Sequence, residues 1–596
     1  MNKEFYDNER EIDLTEQKYL HRREKKVVTA RMGIFAAIIL TATVGYNGYT
    51  TGYWGAIVLL LIFFRIVGYH NEIKQRQKFL TSRLNVLNSY IVRARGTWRK
   101  RSNDGSIYLR NERPQDVDLH VFGNGSIFQY ICAARTKRGR DRLAESLSPT
   151  PPNFALVRVR QKGVAELLQR PRLSLDLEAL ARLMPDNHDT TDLITAVEKE
   201  NLPKLDKILN LRFFPVPIFL LASFLVYHGI IDPLIISLVP IFFLTVAVVT
   251  FSKNSEFLKP LEKFSRELKL YQSIFERIET TNFNSRSLIK IRDELTDEVS
   301  AAEKLKLLAL LVRFVEARKN PVFYLLGNAF FLTDFFCVKF FADWSETASK
   351  HLHKWIDAWS EMEVLISLAS IGQTRKTYCF PNLLDDYSPR IIAKGLTSLL
   401  VPDSKAVPND VFLKASTTII TGANMSGKTT WMRSLAGSVL LAYAGAPVCA
   451  ESFSVSRLEI FTSIRVNDDI SQGLSTFYAE ILRIKSMIEF SKEKSPMLIC
   501  IDEIFKGTNE NDRIIGAREA IKRLTSDLNI TLVTTHDFDL CDMQPVNGVP
   551  INNAHFEEYY VNNEIKFDFT LREGRSTTTN AKYLLKMAGI LTDEEI

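Results

Sequence analysis

Charged side chains vanish from the sequence twice. Between Met32 and Phe64 there is none, and between Phe213 and Phe251 Asp232 stands alone. Each run is divided by turn-forming residues, Tyr46-Asn47-Gly48-Tyr49-Thr50-Thr51-Gly52 in the first and His228-Gly229-Ile230-Ile231-Asp232-Pro233 in the second. Each half approaches the length that crosses a hydrocarbon core of roughly 30 Å. The pattern therefore predicts two transmembrane helical hairpins, at 32–69 and 213–251. Arg22, Arg23, Lys25, Lys26 and Arg31 precede the first, Lys74, Arg76, Lys78 and Arg83 follow it, and Arg65 can snorkel at its end. Lys204, Lys207 and Arg212 precede the second, with Lys253, Lys259 and Lys263 after it. Neither turn holds Lys or Arg, so the positive-inside rule puts both turns outside and the remainder in the cytoplasm. The expectation is a multi-pass protein of the inner or plasma membrane, with a charged cytoplasmic tail at 1–31 and a basic linker helix at 70–114.

Other apolar patterns belong to water-soluble parts. Pro321 to Ala342 carries Asp334 and Lys339 and reads as a buried helix. Leu258, Leu261, Phe264, Leu268, Tyr271, Phe275 and Ile278 recur at three- and four-residue steps, the signature of a long amphipathic helix. Three short strands are expected at Thr417–Thr421, Met497–Ile501 and Ile530–Thr535. The middle one is a continuous apolar run, as a strand buried on both faces requires.

Composition narrows the classes only modestly. With 46% hydrophobic and 24% charged residues, collagen-like, disulfide-scaffold and wholly disordered chains are excluded. A mean hydropathy of −0.04 is the average of very apolar hairpins and a polar remainder. The net charge of +7 is too small to identify a nucleic-acid binder, which shows as a clustered patch. Six scattered cysteines, without a C-x-x-C pair, read as reduced, mostly buried thiols.

Candidate chemistry follows the first strand. Gly422-Ala423-Asn424-Met425-Ser426-Gly427-Lys428-Thr429 has the form G-x-x-x-x-G-K-T between a strand and a helix. The glycines let backbone N–H groups wrap phosphates, Lys428 reaches the β- and γ-phosphates of ATP, and Thr429 is a candidate Mg²⁺ ligand. The second strand ends in Asp502-Glu503. Asp502 is the candidate for the Mg²⁺ shell and Glu503 for polarising the attacking water. His536 ends the third strand, placed to sense the γ-phosphate or the water. The working reaction is ATP hydrolysis.

With these residues in place, the C-terminal third resembles the ATPase domain of the MutS family of DNA mismatch repair proteins. The resemblance rests on Val407-Pro408-Asn409-Asp410, on the phosphate loop continued through Thr430-Trp431-Met432-Arg433, on Asp468-Asp469 and Gly473-Leu474-Ser475-Thr476-Phe477-Tyr478-Ala479-Glu480, on Asp502-Glu503 with Gly507-Thr508-Asn509, and on Thr535-His536-Asp537, all in family order. More weakly it reaches upstream through Asp118-Leu119, Thr136-Lys137-Arg138-Gly139 and Arg160-Gln161-Lys162-Gly163. It implies an α/β P-loop ATPase domain of ABC type at 396–596. Before it comes an all-α MutS-like core and lever domain at 115–395, which would contain the second hairpin. It also implies a homodimer in which Ser475 approaches nucleotide held by the other subunit. The alternative for Ser475 is a helix cap near Thr476.

The pattern departs from the family where DNA is read. The space before Asp116 holds a tail and an apolar hairpin in place of a mismatch-reader domain, and the second hairpin occupies the position of the DNA clamp. Phe314-Val315-Glu316 matches the reader triplet only as a string and reads as helix core. Ala406 stands where an aromatic is usual, leaving Phe569 as a candidate for stacking on adenine. Arg93, Arg95, Arg99, Lys100 and Arg101, with Arg135, Lys137, Arg138, Arg140 and Arg142, offer non-specific contacts to DNA. Lipid headgroups compete for the first cluster and solvent for the second. The expected protein is a membrane-anchored MutS-like ATPase, with DNA binding and mismatch repair implied by resemblance. The alternative is a membrane-bound mechanical or sensing ATPase that acts on the bilayer or a protein partner.

Overall fold

The computed structural model describes residues 2–110, 112–191, 194–195, 209–464, 476–505, 509–561 and 564–576. It opens with two antiparallel helices of 45 residues, α1 (Asn2–Tyr46) and α2 (Thr50–Ala94). At 1.5 Å per residue each is about 68 Å long. Neither breaks where charge begins, so the polar segments before Met32 and after His70 continue the apolar helices as a stalk. The turn between them uses Gly48 at φ 101°. Close approach near the tip uses Gly52, where a Cβ would stand 2.4 Å from the Gly45 nitrogen. Toward the other end, buried Arg83 of α2 donates to Glu9 (2.6 Å) and Asp13 (2.6 Å) of α1 and to Asp176 (2.7 Å) of the helical core.

The second apolar hairpin comprises α3 (Pro215–Tyr227) and α4 (Leu234–Lys263). Thirteen residues of α3 extend about 20 Å, short of the roughly 30 Å of a hydrocarbon core. Among the described residues three helices are long and apolar enough to cross a membrane, within α1, α2 and α4. The stretch expected as one buried helix is two, α5 (Pro321–Phe331) and α6 (Thr333–Thr374), meeting at 83°. Leu332 makes the corner at φ 47°. Polar groups hold its inner side: Arg318 lies 2.9 Å from buried Asp334, whose N–H donates to Asn328 Oδ1 at 3.1 Å. The outer side is apolar and open, with Val322, Leu326, Phe331, Phe336 and Phe340 exposed. Phe314 shares that surface. Its triplet lies in the helix Ala301–Ala317 as expected, but Phe314 is 54% exposed and is not core.

Beyond the corner, α6 plunges into the helical core, and from Ala358 nearly every side chain is buried. There Glu363 receives the N–H groups of Arg135 (2.7 Å) and Thr136 (3.1 Å) and the Thr136 hydroxyl. This explains the Thr136-Lys137-Arg138-Gly139 segment. Thr136 caps the helix Lys137–Ser146 by accepting from Gly139 N, and a Cβ at Gly139 would fall 2.1 Å from Glu363 Oε2.

The C-terminal region contains β1 (Asn382–Leu383), β2 (Arg390–Leu396), β3 (Asn409–Lys414), β4 (Ser416–Thr421), β5 (Ser452–Val455), β6 (Glu459–Ser463), β7 (Met497–Asp502), β8 (Asn529–Thr534), β9 (Ile551–Val561) and β10 (Glu564–Glu573). A small sheet has the order β1-β5-β2-β3 and the main sheet β10-β9-β4-β8-β7-β6, parallel except at β10. The three expected strands are β4, β7 and β8. Their β-branched and apolar residues are almost wholly buried, as suits a sheet covered on both faces. Three helices of this region are α7 (Lys428–Ala444), α8 (Thr476–Ser491) and α9 (Glu510–Leu524). Register places Ile420 and Asp502 beside Thr534, so three strand ends meet at one edge.

Candidate functional site

At that edge the chain leaves β4 and turns through 422–427 into α7. Gly422 at φ 140° and Gly427 at φ 106° adopt backbone that other residues avoid. Space forbids a side chain as well, since a Cβ would lie 2.7 Å from the Phe556 carbonyl oxygen at Gly422 and 3.0 Å from the Phe569 ring at Gly427. Lys428 is buried, and its ammonium donates to the carbonyls of Gly422 (2.6 Å) and Ala423 (3.0 Å). The Ser426 hydroxyl is buried without a hydrogen-bond partner among the described residues.

Two carboxylates face the loop and are held differently. Asp502 accepts from the Thr429 hydroxyl at 2.7 Å through Oδ2 and from the Thr534 hydroxyl through Oδ1. Glu503 leaves the strand at φ 53°, its N–H donating to Thr534 O (3.1 Å) and Oγ1 (2.9 Å). His536 Nε2 stands 3.0 Å from Asn424 Oδ1 and 3.4 Å from Glu503 Oε1. Loop, acids and histidine, spread over more than a hundred residues of sequence, thus form one cluster. Thr429 and Asp502 offer the hard oxygen donors that suit Mg²⁺. Thr430 and Trp431 complete the first turn of α7 and line a cavity of about 420 Å³, within the range of small-ligand sites. Glu503, Phe556 and Phe569 line it too.

Phe569 reaches this cavity because β10 slips register against β9 between Phe567 and Leu571, a bulge with Phe569 at φ 55°. Asn409 clamps it, donating to Phe569 O at 3.0 Å and accepting from Leu571 N at 2.7 Å. In the sequence Asn409 is legible only as part of a lead-in segment. Thr534 and its bond to Asp502 carry no separate signal there. Glu480, legible only as the end of a motif, accepts from Phe505 N at 2.7 Å and supports the turn after Glu503. Burial pushes its carboxyl above the ordinary range.

A further hub ties this site to the helices. Asp118, on the helix Pro114–Asp118, accepts from Thr462 Oγ1 (2.8 Å) and Ile464 N (3.0 Å), lies 3.4 Å from Arg483 of α8, and takes the Arg433 Nε–H of α7 on its carbonyl at 2.7 Å. The helix behind the glycine loop is therefore wired to the helical region. Ser475, Asp468, Asp469, Gly507 and Thr508 lie outside the described residues.

A strand, a glycine loop and a helix meeting the acidic end of β7 define an α/β domain with its polar cluster at one edge of the parallel sheet. Residues 418–592 match the MutS domain V family. Over that region the chain is similar to the MutS family. It is similar to MutS protein homolog 4 of Mus musculus, 32% identical over 247 residues, which is 40% of this chain and 25% of the relative. The chain thus spans about a quarter of that relative's length.

Proposed function

We propose that this chain is a membrane-anchored MutS-type ATPase that binds and hydrolyses ATP with Mg²⁺ as a homodimer. The observation that carries this reading is the convergence of Lys428, Thr429, Asp502, Glu503 and His536 at one end of three parallel strands. Thr429 and Asp502 are the residues that would hold Mg²⁺, which would neutralise developing phosphate charge. The N–H groups of Ala423 through Thr430 bind phosphate, and Lys428 exchanges its loop carbonyls for phosphate oxygens. Glu503 orients and polarises the water, while His536 links it to Asn424 and so to the state of the loop. Phe569 offers its ring to the adenine. Ser475 completes the site of the opposite chain.

The bilayer reading is supported by uncharged, exposed apolar surface on α1, α2 and α4 with basic residues only at one end. This reading gives a multi-pass inner or plasma-membrane protein with its ATPase domain in the cytoplasm. DNA binding and a part in mismatch repair come from the family and are proposed here at that level. The second reading, a mechanical or sensing ATPase acting on the bilayer or a protein partner, is favoured by one observation. Arg433 and Arg483 join the nucleotide region to the helical core through Asp118, a direct path for force. The test is ATP turnover by the detergent-purified chain, with and without homoduplex, mismatched and branched DNA across a salt titration. Turnover stimulated by DNA, with binding that weakens as salt rises, supports the repair reading. Turnover unaffected by DNA, with no binding at low salt, leaves the mechanical reading. Absence of ATP turnover in every condition overturns both.

A further inference from the structure

The two basic runs of the sequence meet in the fold, away from the phosphate loop. Lys100 and Arg101, just beyond α2, line a cleft of about 390 Å³ together with Arg135, Arg140 and Arg182. Asn88 and Asn103 add amide groups to the lining. A second cavity of about 780 Å³ shares Arg135 and Arg182 and adds Lys74 and Lys78.

The positive charge here exceeds its compensation. Asp186 serves both Arg135 (2.9 Å) and Arg140, and Glu178 serves Arg182 (2.7 Å). Lys100 and Arg101 have no carboxylate partner among the described residues. Arg101 donates only to carbonyl oxygens, of Gln129 (2.6 Å), Tyr130 (2.9 Å) and Cys132 (2.5 Å). Burial, with repulsion from neighbouring Arg93, pulls its guanidinium down to about 9. A folded chain that gathers five cations around two carboxylates has left room for an anion. The remainder of the second basic run is occupied: Lys137 pairs with Asp189 (3.1 Å), and Arg138 (3.2 Å) and Arg142 (2.9 Å) pair with Asp357.

We propose that this cleft binds a soluble small molecule bearing two or more phosphate groups. Planar guanidinium groups and amides are the donors that match phosphate oxygens. The cleft's volume suits a nucleotide-sized ligand and not a duplex. A lipid headgroup is disfavoured by position. Asn85, which lines both cavities, stands about 30 Å along α2 from Arg65 at the end of the apolar run, deeper than the headgroup layer. The ligand would bridge the stalk to the helical core, because Asn85 and Asn88 belong to α2 and Arg140 and Arg182 to the core.

The test is calorimetric titration of the detergent-purified full chain carrying Lys428→Ala, which removes the phosphate loop as a competitor, with inorganic tripolyphosphate. Saturable binding is expected, weakened at least about tenfold by Lys100→Glu and by Arg135→Gln as charge-assisted contacts are lost. Lys100 is exposed, so its substitution leaves the fold intact. No saturable binding, or binding undiminished in both variants, overturns the proposal. So does binding to vesicles carrying phosphatidylinositol bisphosphate without binding to free tripolyphosphate. ATP binding measured with Lys428 intact reports on the phosphate loop separately, so either site can fail alone.

Discussion

Thr429 donates its hydroxyl to Asp502 Oδ2 over 2.7 Å, tying the first turn of α7 to the last residue of β7. The same Asp502 is gripped from the other side by Thr534. Asp502 is therefore held from both sides by hydroxyl groups. Thr534→Val should keep the fold, since the site is buried and the shapes are alike, yet loosen the carboxylate. Loss of such a supporting contact typically costs about 10–100-fold in metal affinity or activity. The expected result is an ATPase rate that needs more Mg²⁺ to saturate, read from rates across a Mg²⁺ titration. An unchanged Mg²⁺ dependence argues against Asp502 as a ligand.

Glu503 is fixed by its backbone to Thr534 and by its side chain to His536. Glu503→Gln should retain ATP while turnover falls by about 10²–10⁴-fold, the range lost with a general base. Lys428→Ala should lose ATP binding itself. Equilibrium nucleotide binding and single-turnover hydrolysis separate the two outcomes, and full turnover in the Glu503→Gln chain removes Glu503 from its role.

Burial raises the Glu363 carboxyl from 4.5 to about 7, although its bonds from Thr136 and Arg135 oppose the shift. An acid raised in the folded state stabilises the fold fully below its ordinary value and loses that contribution as pH climbs through about 7. The shift corresponds to something on the order of 3 kcal/mol. The thermal midpoint should therefore drop between about pH 5 and 7, and Glu363→Gln should flatten that window. Identical pH profiles for the two chains would count against a buried, late-titrating Glu363.

Gly139→Ala places a methyl group against the same carboxylate, 2.1 Å from Oε2. Overpacking of this kind costs roughly 1–3 kcal/mol. A lowered thermal midpoint is expected, with ATP affinity preserved. Wild-type stability would show that the helix Lys137–Ser146 can shift freely.

Arg83→Met removes the one cation that bridges Glu9, Asp13 and Asp176, leaving Arg172 on Glu9 and Arg277 on Asp176. Breaking a buried ion cluster from one side costs about 3–5 kcal/mol, because the remaining charges stay buried. The polar half of α1 should then separate from α2, seen as new protease cleavage between Glu4 and Arg31. Resistance equal to wild type would mean that packing around Tyr6 and Tyr90 suffices.

The glycine loop at 422–427 is legible in the sequence because its backbone requirements are local. A β-branched strand, two glycines at fixed spacing and a helix start lie within a dozen residues, and the structure assembles them as the spacing demands. The apolar hairpins are legible for a similar reason, as uncharged runs announce themselves without knowledge of neighbours. Length and exposure mislead. Pro215–Tyr227 is too short to span alone, and Pro321–Ala342 is bent at Leu332 by the buried Arg318–Asp334 pair. Asp334 marks the inner face of that corner, not burial of the whole stretch.

By itself, the order of residues determined the strand–loop–helix at 417–430, the acidic end of β7, the apolar runs and the MutS kinship, because each is written in contiguous residues whose backbone needs or hydrophobicity are intrinsic. Tertiary structure decided which distant groups share an environment. It set Thr534 against Asp502 and Phe569 over Gly427, joined Asp118 to Arg433 and Arg483, and drew two basic runs around one cleft. Such meetings depend on strand order, a β-bulge and helix packing, and these are set by the balance of burial and hydrogen bonding over the whole chain.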